Sequence, residues 1–199
     1  MEPLALVVGL GNPGETYERT RHNAGFRLTE TLAKRWRGRW GFEKKFNARL
    51  ARVEVGERKV WLCQPFSFMN ASGEVVRAVT DYFQVTPDRL LVVLDDADLP
   101  LGEIRLRGQG GSGGHHGLAS IQQHLADTTC ARLRVGIGRT ADGRREITGH
   151  VLGQFSSAES ELLERVLDRA ADQVECWLKR GLQMAMNQFN GVVDSGEEK

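Results

Sequence analysis

Short apolar runs alternate with stretches of helical spacing along most of the chain. Residues 4–10 and residues 90–94 are almost wholly apolar, which is typical of strands buried inside a sheet. Residues 46–55 alternate roughly between apolar and polar positions, and a short turn leads from them into a second strand that ends before Pro65. This pattern predicts a hairpin. The predicted strands are residues 4–10, 46–55, 60–64, 90–94, 104–107 and 133–137.

Apolar residues at helical spacing predict helices between and after these strands. The last helix begins with Ser156 and Glu159, whose spacing is typical of a capping box, and is expected to stop at Gly181. Glycines make residues 108–117 a predicted flexible loop. The pattern as a whole predicts one α/β domain with a mixed sheet over residues 1–190, and a flexible tail over residues 191–199. The predicted helices are residues 24–36, 72–83, 118–126 and 156 to about 180.

The composition narrows the class of protein. Hydrophobic residues make up 40% of the 199 residues and charged residues 27%, which is enough for a packed core. No apolar run approaches the roughly eighteen residues of a membrane span, and the first run lacks the flanks of a signal peptide. Cys63, Cys130 and Cys176 are far apart, which argues against a disulfide framework or a zinc site. We therefore expect a cytoplasmic protein.

The charge is unevenly distributed, although the net charge is only +1. Between residues 104 and 141 the chain has five arginines and a single acidic residue, Asp127. Such a segment is either a solvated face or a surface for a polyanion, and composition leaves both possibilities open. The arginines are Arg105, Arg107, Arg132, Arg134 and Arg139.

A glycine-rich stretch near the N-terminus has the spacing of a dinucleotide-binding loop, with Gly9, Gly11 and Gly14. Such a loop should open directly into a helix, but Pro13 and nine further residues intervene here. An acidic residue should follow about twenty positions later to bind the ribose. The chain has the basic sequence AKRWRGRW there, so a nucleotide cofactor is not expected.

Polar clusters follow three of the predicted strands, at the edge where ligands bind in sheets of this kind. Asp95 is the first polar residue after a buried strand. A carboxylate there can accept a hydrogen bond from one nitrogen of His22 and leave the other nitrogen free to take a proton. Without such a partner, a lone histidine is more often structural. Asp96 and Asp98 are alternative partners, although Asp98 also suits a turn or a helix cap.

Asn70 follows the second hairpin strand and offers donors and an acceptor to a substrate carbonyl or a bound water. Alternatively it caps the helix that begins at Ser72. Met69 could form an apolar wall beside it. Neither Ser67 nor Ser72 lies in a G-x-S-x-G setting, and the cysteines lack a basic context, so a water activated by His22 is favoured over a covalent intermediate.

Histidines other than His22 give little support for a metal site. His115 and His116 are adjacent and cannot readily bind one ion together. The candidate carboxylates lie in other segments, as does His124. We therefore expect no metal.

Four segments, in this order, resemble the bacterial-type peptidyl-tRNA hydrolases: VVGLGNPGETYERTRHNAGF, FMNASGE, LDDADLPLG and GGSGGHHGL. The resemblance extends over about residues 4–189. It implies a twisted mixed sheet flanked by helices on both faces, in a monomeric cytoplasmic enzyme without metal or cofactor. The implied substrate is peptidyl-tRNA, bound by its acceptor stem and 3′ end, with no DNA or membrane partner. The implied reaction cleaves the ester between the peptide and the 3′ ribose, which recycles the tRNA.

The same resemblance implies roles for single residues. His22 would activate the water, Asp95 would orient and stabilise His22, and Asn12 would distinguish N-blocked from free aminoacyl-tRNA. Asn70 would bind the substrate and help to hold the water. An amide of either asparagine, or a backbone N–H of the glycine loop, could stabilise the oxyanion. The other implied contacts are those of the tRNA 3′ end and peptide with Tyr17 and Phe68, and of tRNA phosphates with Arg107 and Arg134.

The chain departs from the family pattern at His116, where the family usually has a substrate-binding, water-positioning asparagine. Histidine is bulkier and ordinarily titrates near pH 6.5, which puts the role of this position in doubt. A second hypothesis is therefore a non-catalytic RNA-binding relative that kept the fold, as in organellar splicing factors that resemble the family. Against it, the chain retains Asn12, His22, Asn70 and Asp95, which a binding protein has no need to keep together.

Overall fold

A mixed sheet of eight strands forms the centre of the computed structural model, which describes residues 4–127, 129–139 and 147–193. Strand β1 (Ala5–Gly9) lies between β4 (Arg58–Pro65) and β5 (Leu90–Asp96) and is parallel to both. β5 also pairs in parallel with β7 (Ala131–Gly136). All five residues of β1 are buried, as the apolar run predicts.

Antiparallel strands complete both edges of the sheet. β3 (Ala48–Val55) forms the predicted hairpin with β4, and β2 (Trp40–Glu43) pairs with β3 at the outer edge. At the other edge, β6 (Glu103–Arg107) pairs with β7. The sequence pattern did not predict β2, because three of its four residues are exposed and leave no apolar run.

The prediction of a flexible tail from residue 191 onward is wrong for its first residues. Residues Gly191–Val192 form strand β8, which pairs with β6, and the N–H of Val193 donates to the carbonyl of Gly102 at 2.7 Å. The sheet therefore includes a short strand from the C-terminal end of the described chain. The remaining predicted tail, residues 194–199, lies outside the described residues.

Helices cover both faces of the sheet, as expected. Residues of β1 alternate between the two sides: Val7 packs with α1, α5 and α6, whereas Leu6 and Val8 pack with α2 and α3. In the described ranges, no helix is both long and apolar enough to cross a membrane. The helices are α1 (Ala24–Arg35), α2 (Ser72–Phe83), α3 (His116–Leu125), α4 (Ile147–Leu152), α5 (Ser157–Arg180) and α6 (Leu182–Phe189).

The capping box of the long helix α5 is confirmed. The N–H of Glu159 donates to the Ser156 hydroxyl at 3.3 Å, and the Glu159 carboxylate accepts the N–H of Ser156 at 2.7 Å. Gly181 ends the helix with a φ of 85°, and helix α6 follows at once. The apolar residues of α6 recur at helical spacing, but their eight-residue run was too short to be predicted beside α5.

The three cysteines are buried and free. Burial raises the pKa of the Cys63 and Cys130 thiols, so both remain in the unreactive thiol form at neutral pH.

Two glycines let helix α1 begin directly against the sheet. A Cβ atom on Gly9 would lie 2.3 Å from the carbonyl oxygen of Gly25, and a Cβ on Gly25 would lie 2.4 Å from the carbonyl oxygen of Val93. Side chains at these positions would push α1, and the 3-10 turn Arg21–Asn23 before it, away from β1 and β5. These glycines therefore serve helix–strand packing.

Candidate active site

A cleft of about 350 Å³ lies at the carboxyl ends of β1 and β5. Its walls come from the loop after β1, the turn Arg21–Asn23, the segment after β5, the glycine-rich loop before α3, and helix α4. This is the edge at which the sequence pattern predicted a site. The predicted site residues that line the cleft are Asn12, His22, Asp95, His116 and Arg134.

Asp95 is the buried centre of the site. Its Oδ1 lies 2.8 Å from Nδ1 of His22 and 2.9 Å from Nε2 of His115, and the residue is only 3% exposed. Burial raises the pKa of a carboxyl group, but the charge and hydrogen bond of His115, with those of His22, outweigh burial. The pKa of Asp95 is therefore lowered from 3.8 to about 2, and the side chain is ionised at neutral pH.

The ionised carboxylate determines which nitrogen of each imidazole carries the hydrogen. Asp95 can only accept, so Nδ1 of His22 donates to it and Nε2 of His22 is left to accept a proton. His115 donates from Nε2, and its Nδ1 accepts the N–H of Leu118 at 3.3 Å as the N-cap of α3. The geometry thus presents His22 as a base on the wall of the cleft.

The same three side chains have the spacing of a metal site. The ligand atoms of His22, Asp95 and His115 lie within 4.8 Å of one another, which is close enough for all three to bind one zinc ion. In this arrangement, however, both imidazoles already donate hydrogen bonds to one carboxylate oxygen. Asp95 needs no cation to neutralise it, and we interpret the group as a hydrogen-bonded relay.

Asn12 is held in one orientation by its neighbours. Its Oδ1 accepts the N–H of Met69 at 2.9 Å, and its backbone N–H and C=O pair with the side chain of Asn23 at 2.8 Å and 3.0 Å. Because Met69 donates to Oδ1, the NH₂ group of Asn12 is the end left for the cleft, which Asn12 lines. A fixed amide donor therefore stands in the same cleft as His22.

Comparison with known proteins identifies the family. Residues 6–198 match the family model described as peptidyl-tRNA hydrolase. The chain belongs to the peptidyl-tRNA hydrolase family. It is 47% identical over 196 residues to a peptidyl-tRNA hydrolase of Synechococcus sp. (strain JA-3-3Ab), covering 98% of this chain and 87% of the relative. It is 44% identical over 187 residues to that of Geobacillus kaustophilus (strain HTA426), covering 94% of this chain and 100% of the relative.

Solved structures of peptidyl-tRNA hydrolases agree with this assignment. The crystal structure of peptidyl-tRNA hydrolase from Acinetobacter baumannii matches with a TM-score of 0.91 at 37% identity, covering 97% of both chains. The expected fold, a single α/β domain with a mixed sheet, is thereby confirmed. So is the expectation of a hydrolase.

His115 is a site residue that the sequence patterns did not predict. The sequence suggests it only as a possible metal ligand, whereas in the structure it donates to Asp95 and caps α3. The helix was expected to begin at residue 118, but α3 begins at His116. A histidine directly before a helix is a weak capping signal. The run of glycines before His115 is typical of a loop, so no sequence signal marked His116 as the start of α3.

Five predicted site residues lie outside the lining of the cleft: Tyr17, Phe68, Met69, Asn70 and Arg107. Asn70 is exposed in the 3-10 turn Met69–Ala71 and does not cap α2, because Ala71 is the residue before that helix. Met69 is buried close to Gly117, and its N–H donates to Asn12. Its role as an apolar wall stays a prediction. Phe68 is 65% exposed, and Tyr17 is half-buried on the loop after β1.

The five arginines between residues 104 and 141 do not form one open basic surface. Arg132 is buried and donates to the backbone carbonyls of Cys130 and Gly110. Arg107 is exposed and forms no ion pair with the described part of the chain. The other three form ion pairs: Arg105–Glu103 (2.9 Å), Arg134–Asp96 (3.0 Å) and Arg139–Asp98.

His116 is expected to add an acid limb to the pH profile of hydrolysis. It is exposed, begins α3 and lines the cleft. An imidazole, unlike the amide of asparagine, can gain a proton on acidification, which would remove its acceptor nitrogen and add charge to the cleft. Activity should therefore fall more steeply on acidification than in His116→Asn. The check is kcat/KM of both proteins between about pH 5 and pH 8; superimposable profiles would contradict this expectation.

Proposed function

We propose that this protein hydrolyses the ester bond between the peptide, or an N-blocked amino acid, and the 3′ ribose of tRNA, with His22 as general base. The observation that supports this most strongly is the hydrogen bond from His22 to the ionised Asp95. It orients the imidazole and leaves Nε2 available to a water in the cleft. Family membership supports peptidyl-tRNA as the substrate.

In the proposed reaction, a water hydrogen-bonded to Nε2 of His22 attacks the ester carbonyl and gives its proton to that nitrogen. Asp95 stabilises the imidazolium that forms, since its negative charge lies 2.8 Å from Nδ1. The tetrahedral intermediate then expels the ribose 3′ oxygen, which takes the proton from His22. The products are a peptide carboxylic acid and free tRNA.

The NH₂ group of Asn12 supplies a donor for the oxyanion or for the substrate's blocked amide. Its orientation is fixed before substrate binds, because Met69 and Asn23 hold both its side chain and its backbone. A preorganised donor costs no rearrangement as charge develops in the transition state. We propose that this same group distinguishes N-blocked from free aminoacyl-tRNA.

The exposed residues around the cleft would bind the rest of the substrate. An exposed aromatic ring such as that of Phe68 can stack on an unpaired base, and Tyr17 and Asn70 offer further contacts. Arg107 can bind a tRNA phosphate, which adds affinity without base recognition. We propose that the protein does this work as a cytoplasmic monomer.

Release of the amino acid from N-acetylated aminoacyl-tRNA tests the proposal. We expect turnover of this substrate and much slower turnover of the same tRNA carrying a free amino group, because Asn12 would recognise the blocked amide. The measurement is the rate of ester cleavage for both tRNAs under identical conditions. Tight binding of tRNA with no cleavage of either would instead support the RNA-binding hypothesis.

A further inference from the structure

Two arginines of β7 bind three consecutive carbonyl groups of the glycine-rich loop. Arg132 donates to the carbonyl of Gly110, and Nη2 of Arg134 donates to those of Gly111 and Ser112 at 3.0 Å and 3.2 Å. Residues two apart on a strand share a face, so both guanidinium groups reach the loop together. The loop thus follows a path fixed by the sheet.

Arg134 also reaches the strand that carries the catalytic carboxylate. Its Nη1 lies 3.0 Å from the carboxylate of Asp96, the residue after Asp95, and both side chains of this pair are 13% exposed. The pair is thus largely shielded from water, where a charge-assisted hydrogen bond is stronger than on an open surface. One guanidinium therefore joins the loop to the end of β5.

The loop residue that Arg134 binds, Ser112, is also hydrogen-bonded to His115. The carbonyl oxygen of Ser112, which accepts from Arg134, also accepts the N–H of His115 at 3.2 Å. The side chain of His115 then donates to Asp95. A continuous chain of hydrogen bonds therefore runs from Arg134 through Ser112 and His115 to the acceptor of His22.

We propose that Arg134 is a positioning residue that places His115 against Asp95. The proposal rests on the hydrolytic function proposed above. The guanidinium of Arg134 binds Asp96 and two backbone carbonyls of the glycine-rich loop. This role is additional to the contact with tRNA phosphate that family resemblance implies for the residue.

Substrates of two sizes separate the two roles. One is N-acetyl-aminoacyl-tRNA, and the other is the same N-acetyl-aminoacyl ester on adenosine, which has no phosphate. We expect Arg134→Gln to lower kcat for both by a similar factor, about 10²-fold, because a small displacement of catalytic groups costs that much. Arg107→Gln should instead raise KM for tRNA and flatten the slope of log K against log [salt] by about one.

The matched control is Arg105→Gln, which removes one arginine of the same segment. Arg105 pairs with Glu103 at 2.9 Å and makes no hydrogen bond to the described part of the glycine-rich loop. Arg134→Lys is the second variant, since it keeps the charge but a single ammonium lacks the planar fork that holds three acceptors. It should reproduce the loss of kcat, and Arg105→Gln should keep the wild-type rate.

Amide hydrogen exchange tests whether Arg134 holds the glycine-rich loop, independently of catalysis. The amides of His115 and Leu118 should exchange faster in Arg134→Gln and Arg134→Lys than in the wild type or Arg105→Gln. Unchanged exchange would overturn the proposal, as would a loss confined to the tRNA substrate with a flattened salt slope. A wild type that cleaves neither substrate would refute the hydrolytic function. Amide hydrogen exchange would still show whether Arg134 holds the glycine-rich loop.

Discussion

Replacement of His22 by alanine is expected to lower kcat by about 10²–10⁴-fold while tRNA affinity stays close to that of the wild type. His22 is the imidazole whose Nδ1 donates to Asp95 and whose other nitrogen remains available on the cleft wall. Without it, the attacking water has no group to take its proton. The measurements are single-turnover cleavage of N-acetyl-aminoacyl-tRNA and tRNA binding at the same salt concentration.

His124→Ala is the matched control for this variant. His124 lies near the end of α3, where its Nδ1 contacts the carbonyl of Ser120 at 2.8 Å, and it does not line the cleft. The substitution His124→Ala removes one imidazole from the same molecule without affecting the proposed base. If His22→Ala kept most of the wild-type rate, another group would have to take the proton.

Asp95→Asn is expected to lower kcat to a similar extent, by about 10²–10⁴-fold, although it changes the volume of the side chain very little. The amide has no charge to stabilise the imidazolium of His22. It also offers one oxygen and an NH₂ group to the two N–H groups that now share Oδ1, so one histidine must turn or lose its acceptor. The measurement is kcat at saturating substrate; a rate near that of the wild type would remove Asp95 from the proposed mechanism.

The same variant should change how stability depends on acidity. Asp95 titrates at about 2 in the folded protein against 3.8 for an unperturbed carboxyl group. Its ionised form therefore stabilises the fold fully above pH 3.8, and this contribution, on the order of 2 kcal/mol, is lost as pH falls through 2. Urea unfolding of both proteins across this interval should give a flatter pH dependence for Asp95→Asn.

The sequence was most informative where a single local pattern decides the structure. The apolar run at residues 90–94 predicted both a buried strand and the position of Asp95 at its end. Helix α4 carried no such signal, because six residues are too few to show a helical face.

Pairing between distant residues was beyond the reach of sequence patterns. Arg134 and Asp96 are 38 positions apart, and nothing local shows that they form an ion pair. The composition of residues 104–141 therefore left a basic surface for a polyanion possible, although most of the five arginines there bind partners within the molecule. His115 was missed for the same reason, since its importance comes from Asp95, 20 positions earlier.

The fixed path of the glycine-rich loop also bears on how tightly a substrate can bind. Glycine loses more conformational entropy on ordering than any other residue, and ordering a backbone costs about 1–2 kcal/mol per residue. Here the carbonyls of Gly110, Gly111 and Ser112 are bound before any substrate arrives. That entropy is lost during folding, so the affinity of the cleft for its ligand is not reduced by ordering this wall.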